Sequence, residues 1–182
     1  MRVLFQKTFN LIWILAFVVS LVVVSPSVAW AQDQTGSKVV LDIAKSVLFD
    51  PTTYAPAVLG YTSQKMDWNS SQPLFRAGWV EHNALFTVSG RPDDRPISFE
   101  AGNQQIRHLA LMQLQESMLN NLGAQVVERV LTQKHPEHQK LFKTLSWMER
   151  IGFSAYVGYL GSIQHFRQAR RNEAIAQAQG LQ

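Results

Sequence analysis

The sequence has no cysteine anywhere in its 182 residues. Disulfides, thiolate metal sites and a lipid-modified N-terminal cysteine are therefore excluded, and the fold must be held by packing and polar contacts alone. Charge is also scarce, with 16% of residues being Asp, Glu, Lys or Arg. Two of the basic residues, Arg2 and Lys7, belong to the N-terminal segment, and beyond them fifteen basic side chains stand against thirteen acidic ones. A chain so near neutrality lacks the basic surface that nucleic-acid binding requires. Strand-like patterning is almost missing too, with "ALFTVS" at Ala84 to Ser89 as the one short extended candidate. There is no G-x-S-x-G elbow, S-x-x-K, phosphate-binding glycine loop, dinucleotide fingerprint, EF-hand loop, haem attachment motif or H-E-x-x-H. An exported hydrolase built on one of those motifs is thereby removed, and no cofactor is expected.

What is present begins with a three-part N-terminus. Arg2 and Lys7 precede the uncharged run "FNLIWILAFVVSLVVV", and "SPSVAWA" follows with Pro26 and the small pair Ala29 and Ala31. That layout is a secretory signal peptide cut after Ala31; the rival is an uncleaved inner-membrane anchor, since a spanning helix needs about 20 apolar residues. The expected organisation is a cleaved signal at residues 1–31, a helical domain at 32–170 and a polar, fraying tail at 171–182. An exported chain without cysteine points to a bacterial envelope protein, periplasmic or extracellular once cleaved.

Further along, the dominant apolar period is helical. "SKVVLDIAKSVL" repeats Val39, Val40, Ile43 and Val47 at helical spacing, and Asp50 before Pro51 reads as an N-cap followed by a first-position proline. The next helix sets Tyr54, Val58, Tyr61 and Trp68 on one side, and Pro56 should kink it or delay its start to about Ala55. "SSQPLFRAGW" reads as a separate short helix, and residues 87–97 as a Pro/Gly/Asp-rich loop. Ser98 caps a helix through Ile106, Leu114, Met118 and Leu122, which Asn120, Asn121 and Gly123 either end or weaken. Pro136 sets a boundary. The predicted fold is all-α, a single-domain bundle of about four to six helices with one long C-terminal helix after Pro136.

That last helix carries two patterns. Leu141, Leu145, Met148, Gly152, Ala155, Tyr159, Ser162 and Phe166 alternate steps of four and three, the seam of a helix packed along a neighbour. On "IGFSAYVGYLGSI" and the residues just after it, Ser154, Gly158, Gly161, Ser162 and His165 share a face where small residues admit a neighbouring backbone, opposite Tyr156, Tyr159, Ile163 and Phe166. The stretch reaches only about 20 Å against a hydrocarbon core of about 30 Å, so it reads as the central helix of the bundle rather than a second span.

Candidate chemistry is thin. Trp79 and His82 in "FRAGWVEHN" combine an aromatic and a base near an acid and an amide. Arg91, Asp93, Asp94 and Arg95 in "SGRPDDRPISFE" place paired charges in a loop, where binding residues concentrate. Arg167, Arg170 and Arg171 gather positive charge for an envelope protein or anionic membrane surface. His135 and His138 are metal-ligand candidates three residues apart, with Glu116 a conceivable third ligand. The leading expectation is a non-catalytic envelope module binding a protein partner, a membrane surface or a small apolar ligand; the alternative is a small metal-dependent or acid/base enzyme using His135/His138 or the Asp93/Asp94 loop.

Overall fold

The structure, a computed structural model, describes residues 34–181, so the expected signal peptide and its cleavage point lie outside the described residues. Contacts divide the chain into a unit ending at Lys45 and a unit from Ser46 onward. Helix α1 spans Gln34–Leu48 and supplies the described part of the first unit. The second unit holds α2 at Pro51–Arg76, α3 at Phe99–Lys134 and α4 at Gln139–Ala178, with 3-10 turns at Ala84–Phe86 and Pro136–His138. The fold is all-α, with no strand among the described residues. In the extended candidate at Ala84–Ser89, Ala84–Phe86 is instead a 3-10 turn, in which Asn83 Oδ1 caps the Leu85 amide at 3.1 Å, and only Thr87 forms an isolated bridge, to Pro96.

The caps explain where the helices start and stop. Asp50 has extended backbone and accepts the Thr52 amide at 2.9 Å, while Pro51 occupies the first position, where a missing N–H costs nothing. Rather than starting near Ala55 or splitting in two, α2 runs as one helix of 26 residues through both Pro56 and Pro73. Each proline removes only one ladder bond near a helix end, and Pro56 is buried among its neighbours. The helix ends where Gly78 takes a φ of 91° and the Trp79 amide returns to Leu74 O at 3.1 Å, a Schellman closure that glycine permits without strain. Ser98 caps α3 through the Ala101 amide at 3.2 Å, and Asn120, Asn121 and Gly123 do not interrupt it. The tail expected to fray is helical to Ala178, with Asn172 and Ala176 buried.

Pairwise contacts fix the directions of the three long helices. Asp50 meets Arg150, and Asp67 meets His165, so α2 and α4 run parallel. Thr53 meets Asn121, and Lys65 meets Asn103, so α3 runs against them. Their shared seam is small and polar rather than greasy. A Cβ built on Gly60 of α2 would fall 2.0 Å from Gln113 Oε1, and one on Gly161 of α4 would fall 3.0 Å from Gln113 Nε2. The Gln113 side chain of α3 is thus seated against glycines on both other helices. Gly158 lets α4 approach Leu59 and Pro56 of α2 in the same way.

This seam follows the small-residue face expected of Ser154, Gly158, Gly161, Ser162 and His165, and it departs from the expected row of alternating steps, of which Ser162 is buried and Phe166 half-buried. Leu141, Leu145, Met148, Gly152, Ala155 and Tyr159 are all exposed. The buried row is Ser146, Arg150, Ser154, Gly158 and Ser162, every fourth residue on another face. Tyr54, Val58 and Tyr61 of α2 are likewise outside. Bulky side chains cannot occupy a junction where three helix axes approach through glycine, so shape rather than hydropathy selects the inner face. Large apolar burial is concentrated at one end, where Trp68, Phe86 and Ile106 form a cluster with Phe75, Ile97 and Leu109 packed against it. Trp68 Nε1 donates to Phe99 O at 3.2 Å there, and the indole lies against the bare backbone of Gly102.

Two predictions follow from this packing. A Cβ on Gly102 would fall 2.2 Å from the Trp68 ring, so Gly102→Ala should destabilise the unit by about 1–3 kcal/mol in a thermal or denaturant melt. The exposed neighbour Gln104→Ala should stay within about 0.5 kcal/mol of the parent. Arg150 and Asp50 form a pair at 3.3 Å with side chains only 9% and 14% exposed. Arg150→Met should therefore cost about 3–5 kcal/mol by stranding a carboxylate. Adding Asp50→Asn, which keeps a cap, should recover part of that loss; a double variant no better than the single one would refute the ion-pair account.

Candidate functional site

The segment from Ala77 to Ser98 is an ordered cover rather than a plain connection. Glu81 and Asp94 exchange backbone hydrogen bonds at 2.8 and 3.2 Å, and Thr87 bridges to Pro96. Thr87 Oγ1 donates to Arg91 O at 2.8 Å, and the Ser89 amide donates to an Asp94 carboxylate oxygen at 3.1 Å. Asp93 takes a φ of 61°, a left-handed conformation that Asp tolerates better than bulky residues, and its carboxylate pairs with the His82 ring. These bonds fold the loop back over the aromatic cluster.

Between this cover and the C-terminal half of α2 and α4 lies a cleft of ≈510 Å³. Its apolar lining is Trp68, Leu74, Phe75, Trp79, Phe86 and Ile175. Its polar lining centres on a network linking the two parallel helices. His165 Nδ1 lies 2.7 Å from Asp67 Oδ2; an ionised carboxylate only accepts, so Nδ1 carries the proton. Asn172 Nδ2 donates to Ser71 Oγ at 2.8 Å and to Asp67 Oδ1 at 3.3 Å. The Ser71 hydroxyl in turn donates to Asp67 O at 2.8 Å. Both oxygens of Asp67 are thereby engaged by α4.

Glu81 enters the cleft from the cover. Its partial burial raises the carboxyl pKa above the ordinary value of 4.5, opposed by a hydrogen bond from the Asn83 amide and reinforced by the nearby charge of Asp67. Asp94 behaves oppositely, its carboxyl held below the usual range first by the Ser89 hydroxyl and then by backbone amides. That makes Asp94 a clasp of the loop.

The sequence-derived candidates divide accordingly. Trp79, His82 and Arg171 line the cleft together. Asp93 and Asp94 are used inside the cover, and Arg91 and Arg95 are exposed on it. Arg167 and Arg170 are exposed on α4 outside the cleft lining. His135 and His138 each lie near Glu137, at 3.4 and 3.8 Å, with all three side chains more than half exposed. Among the described residues no group of three or more His, Asp or Glu side chains is placed to hold a metal. Sequence reasoning missed Asp67 and Asn172, read Ser71 as a possible helix cap, and took His165 as one of the scattered histidines and as part of the small-residue face of the last helix. A signal did exist, since Asp67, Ser71, His165 and Asn172 are polar positions on otherwise inward faces. Comparison with known protein families, with curated proteins and with solved structures finds no match.

The raised Glu81 pKa carries a sign. A carboxyl that holds its proton more tightly when folded makes folding less favourable as pH rises from its ordinary value through the raised one. Glu81→Gln keeps an acceptor for the Asn83 amide but cannot ionise. It should melt higher than the parent at about pH 7, with the difference shrinking towards about pH 4. A Glu81→Gln protein whose melting temperature tracks the parent's at every pH would contradict this.

Proposed function

We propose that this chain is a non-catalytic binding module of the bacterial envelope, exported and working outside the cytoplasmic membrane, whose cleft takes a small ligand with an apolar or aromatic body and a polar edge. The observation that carries the reading is a cleft of ≈510 Å³ whose lining combines aromatic and apolar side chains with the hydrogen-bonded Asp67–His165–Asn172 network. Small-molecule sites have that size and that mixture of apolar lining with a few placed polar groups. A binding role is favoured over catalysis because Ser71, the hydroxyl beside the Asp67–His165 pair, is already committed as donor to Asp67 O and acceptor from Asn172.

A second reading, an acid/base enzyme, rests on a specific pairing in the same cleft. His165 oriented by Asp67 and Glu81 with its raised pKa are groups of the kind that move protons. This shifts the catalytic alternative away from His135/His138 and Asp93/Asp94. A reaction whose rate falls in Glu81→Gln while ligand affinity is retained would favour it.

The binding reading is tested with two matched aromatic probes, indole-3-acetate and tryptamine, titrated while tryptophan emission or heat is followed. At least one should bind with a simple isotherm, and Trp79→Ala should weaken it by about tenfold. Arg171→Gln should weaken the anionic probe selectively, whereas Arg167→Gln, outside the cleft lining, should change neither. Absence of binding by both probes, or binding indifferent to Trp79→Ala, would end this reading.

A further inference from the structure

Of the row Leu141, Leu145, Met148, Gly152, Ala155, Tyr159, Ser162 and Phe166, the structure turns Ser162 inward, half-buries Phe166 and leaves the first six outside. Leu141, Leu145, Met148 and Tyr159, with adjacent Tyr156, are between 52% and 66% exposed. A row that alternates four and three keeps a constant bearing on a neighbouring helix only if the two supercoil, which is the reason a 3.5-residue period marks helix pairing. The inner seam of α4 does not use that period, since it steps by four through Ser146, Arg150, Ser154, Gly158 and Ser162. Helix α4 therefore carries two packing faces, and α2 and α3 take only the inner one.

The centre of the outer row is small. A Cβ built on Gly152 meets no atom within 4 Å among the described residues, and Ala155 lies one step further on. A glycine at the waist gives nothing to lipid, whereas it lets another helix come close. The row is also matched to itself. If two α4 helices cross antiparallel about a two-fold axis at Gly152, Leu145 faces Tyr159, Met148 faces Ala155, and Gly152 faces its own copy. Each bulky Met layer is then filled by a small residue, the alternation that packs evenly; a parallel pair would stack Met on Met and leave adjacent Gly and Ala layers hollow. The area suffices. Five large side chains exposing ~100 Å² each give ~500 Å² per copy, and the ~1,000 Å² buried in total meets the lower bound for a specific interface.

We propose that the outer face of α4 is the interface of a two-fold symmetric dimer, in which a second copy of this chain packs antiparallel with its axis at Gly152, so that Leu145–Tyr159 form its centre and Leu141 lies just beyond Tyr159 of the other copy. The face is separate from the ligand cleft, so either reading survives failure of the other.

The absence of cysteine makes the test direct. The whole chain, expressed with its own N-terminus, is examined by sedimentation at a chain concentration on the order of 50 μM, where a micromolar dimer is mostly associated. It should run at the mass of two chains, and Leu145→Glu with Met148→Glu should run as one chain with an unchanged circular dichroism spectrum, the dissociation constant rising about a hundredfold or more. On mild oxidation Gly152→Cys should form a covalent dimer, because the introduced sulfurs meet at the axis with Cβ atoms about 4 Å apart. Leu145→Cys should not, since its symmetry mate lies about 21 Å away along the helix. A one-chain mass for the parent, whether free or floating with phosphatidylcholine vesicles, would overturn the proposal. So would crosslinking of Leu145→Cys as fast as Gly152→Cys.

Discussion

Asp50 is the residue on which the geometry of the bundle turns. One carboxylate oxygen caps α2 by accepting from the amide and hydroxyl of Thr52, and the other pairs with Arg150 in the middle of α4. A single buried group thus fixes where α2 begins and which level of α4 it meets. Desolvating such a pair is costly unless both partners stay in place, so any sliding of α4 along α2 would expose the cost at once. The contacts further down, Gly158 against Pro56 and Leu59 and His165 against Asp67, follow at the same offset.

That register permits a seam of glycine, serine and asparagine, and the seam has a consequence for the surface. Close axes leave no room for Leu, Met or Tyr between the helices, so these side chains are displaced outward on α2, α3 and α4 alike. Interhelical polar bonds such as Asn121 to Thr53 at 2.7 Å replace part of the missing apolar contact. Each such bond contributes a modest net amount, about 1 kcal/mol, whereas a fully buried Leu or Ile contributes about 1.5–3 kcal/mol. A bundle stabilised this way gains from covering its outer faces, which links the internal chemistry to the proposed pairing through α4.

At the opposite end Trp68 of α2 lies against the bare backbone of Gly102 and packs on Phe86 of the cover, the ring centroids 5.3 Å apart. The cleft exists because the cover from Ala77 to Ser98 supplies Trp79, Glu81 and Phe86 opposite the polar faces of α2 and α4. Close packing above and an aromatic opening below thus place the polar network at the boundary between them. It is reachable there without belonging to solvent.

Much of the local structure was legible in the residues themselves. The Asp50–Pro51 and Ser98 helix starts, the break at Pro136, the long final helix and the Gly-rich closeness of α4 depend on backbone chemistry within a few positions, which sequence states directly. Trp79, His82 and Arg171 were also recognisable as candidates, because they stand out where they are. What the sequence could not decide was which stripe of α4 faces inward, since periodicity reveals that a helix has faces but not which neighbour each one meets. Nor could it bring Asp67 to His165 across 98 residues of chain. That meeting depends on the register set by Asp50 and Arg150 and on three helices approaching through glycine, and those are properties of the packed whole rather than of any segment.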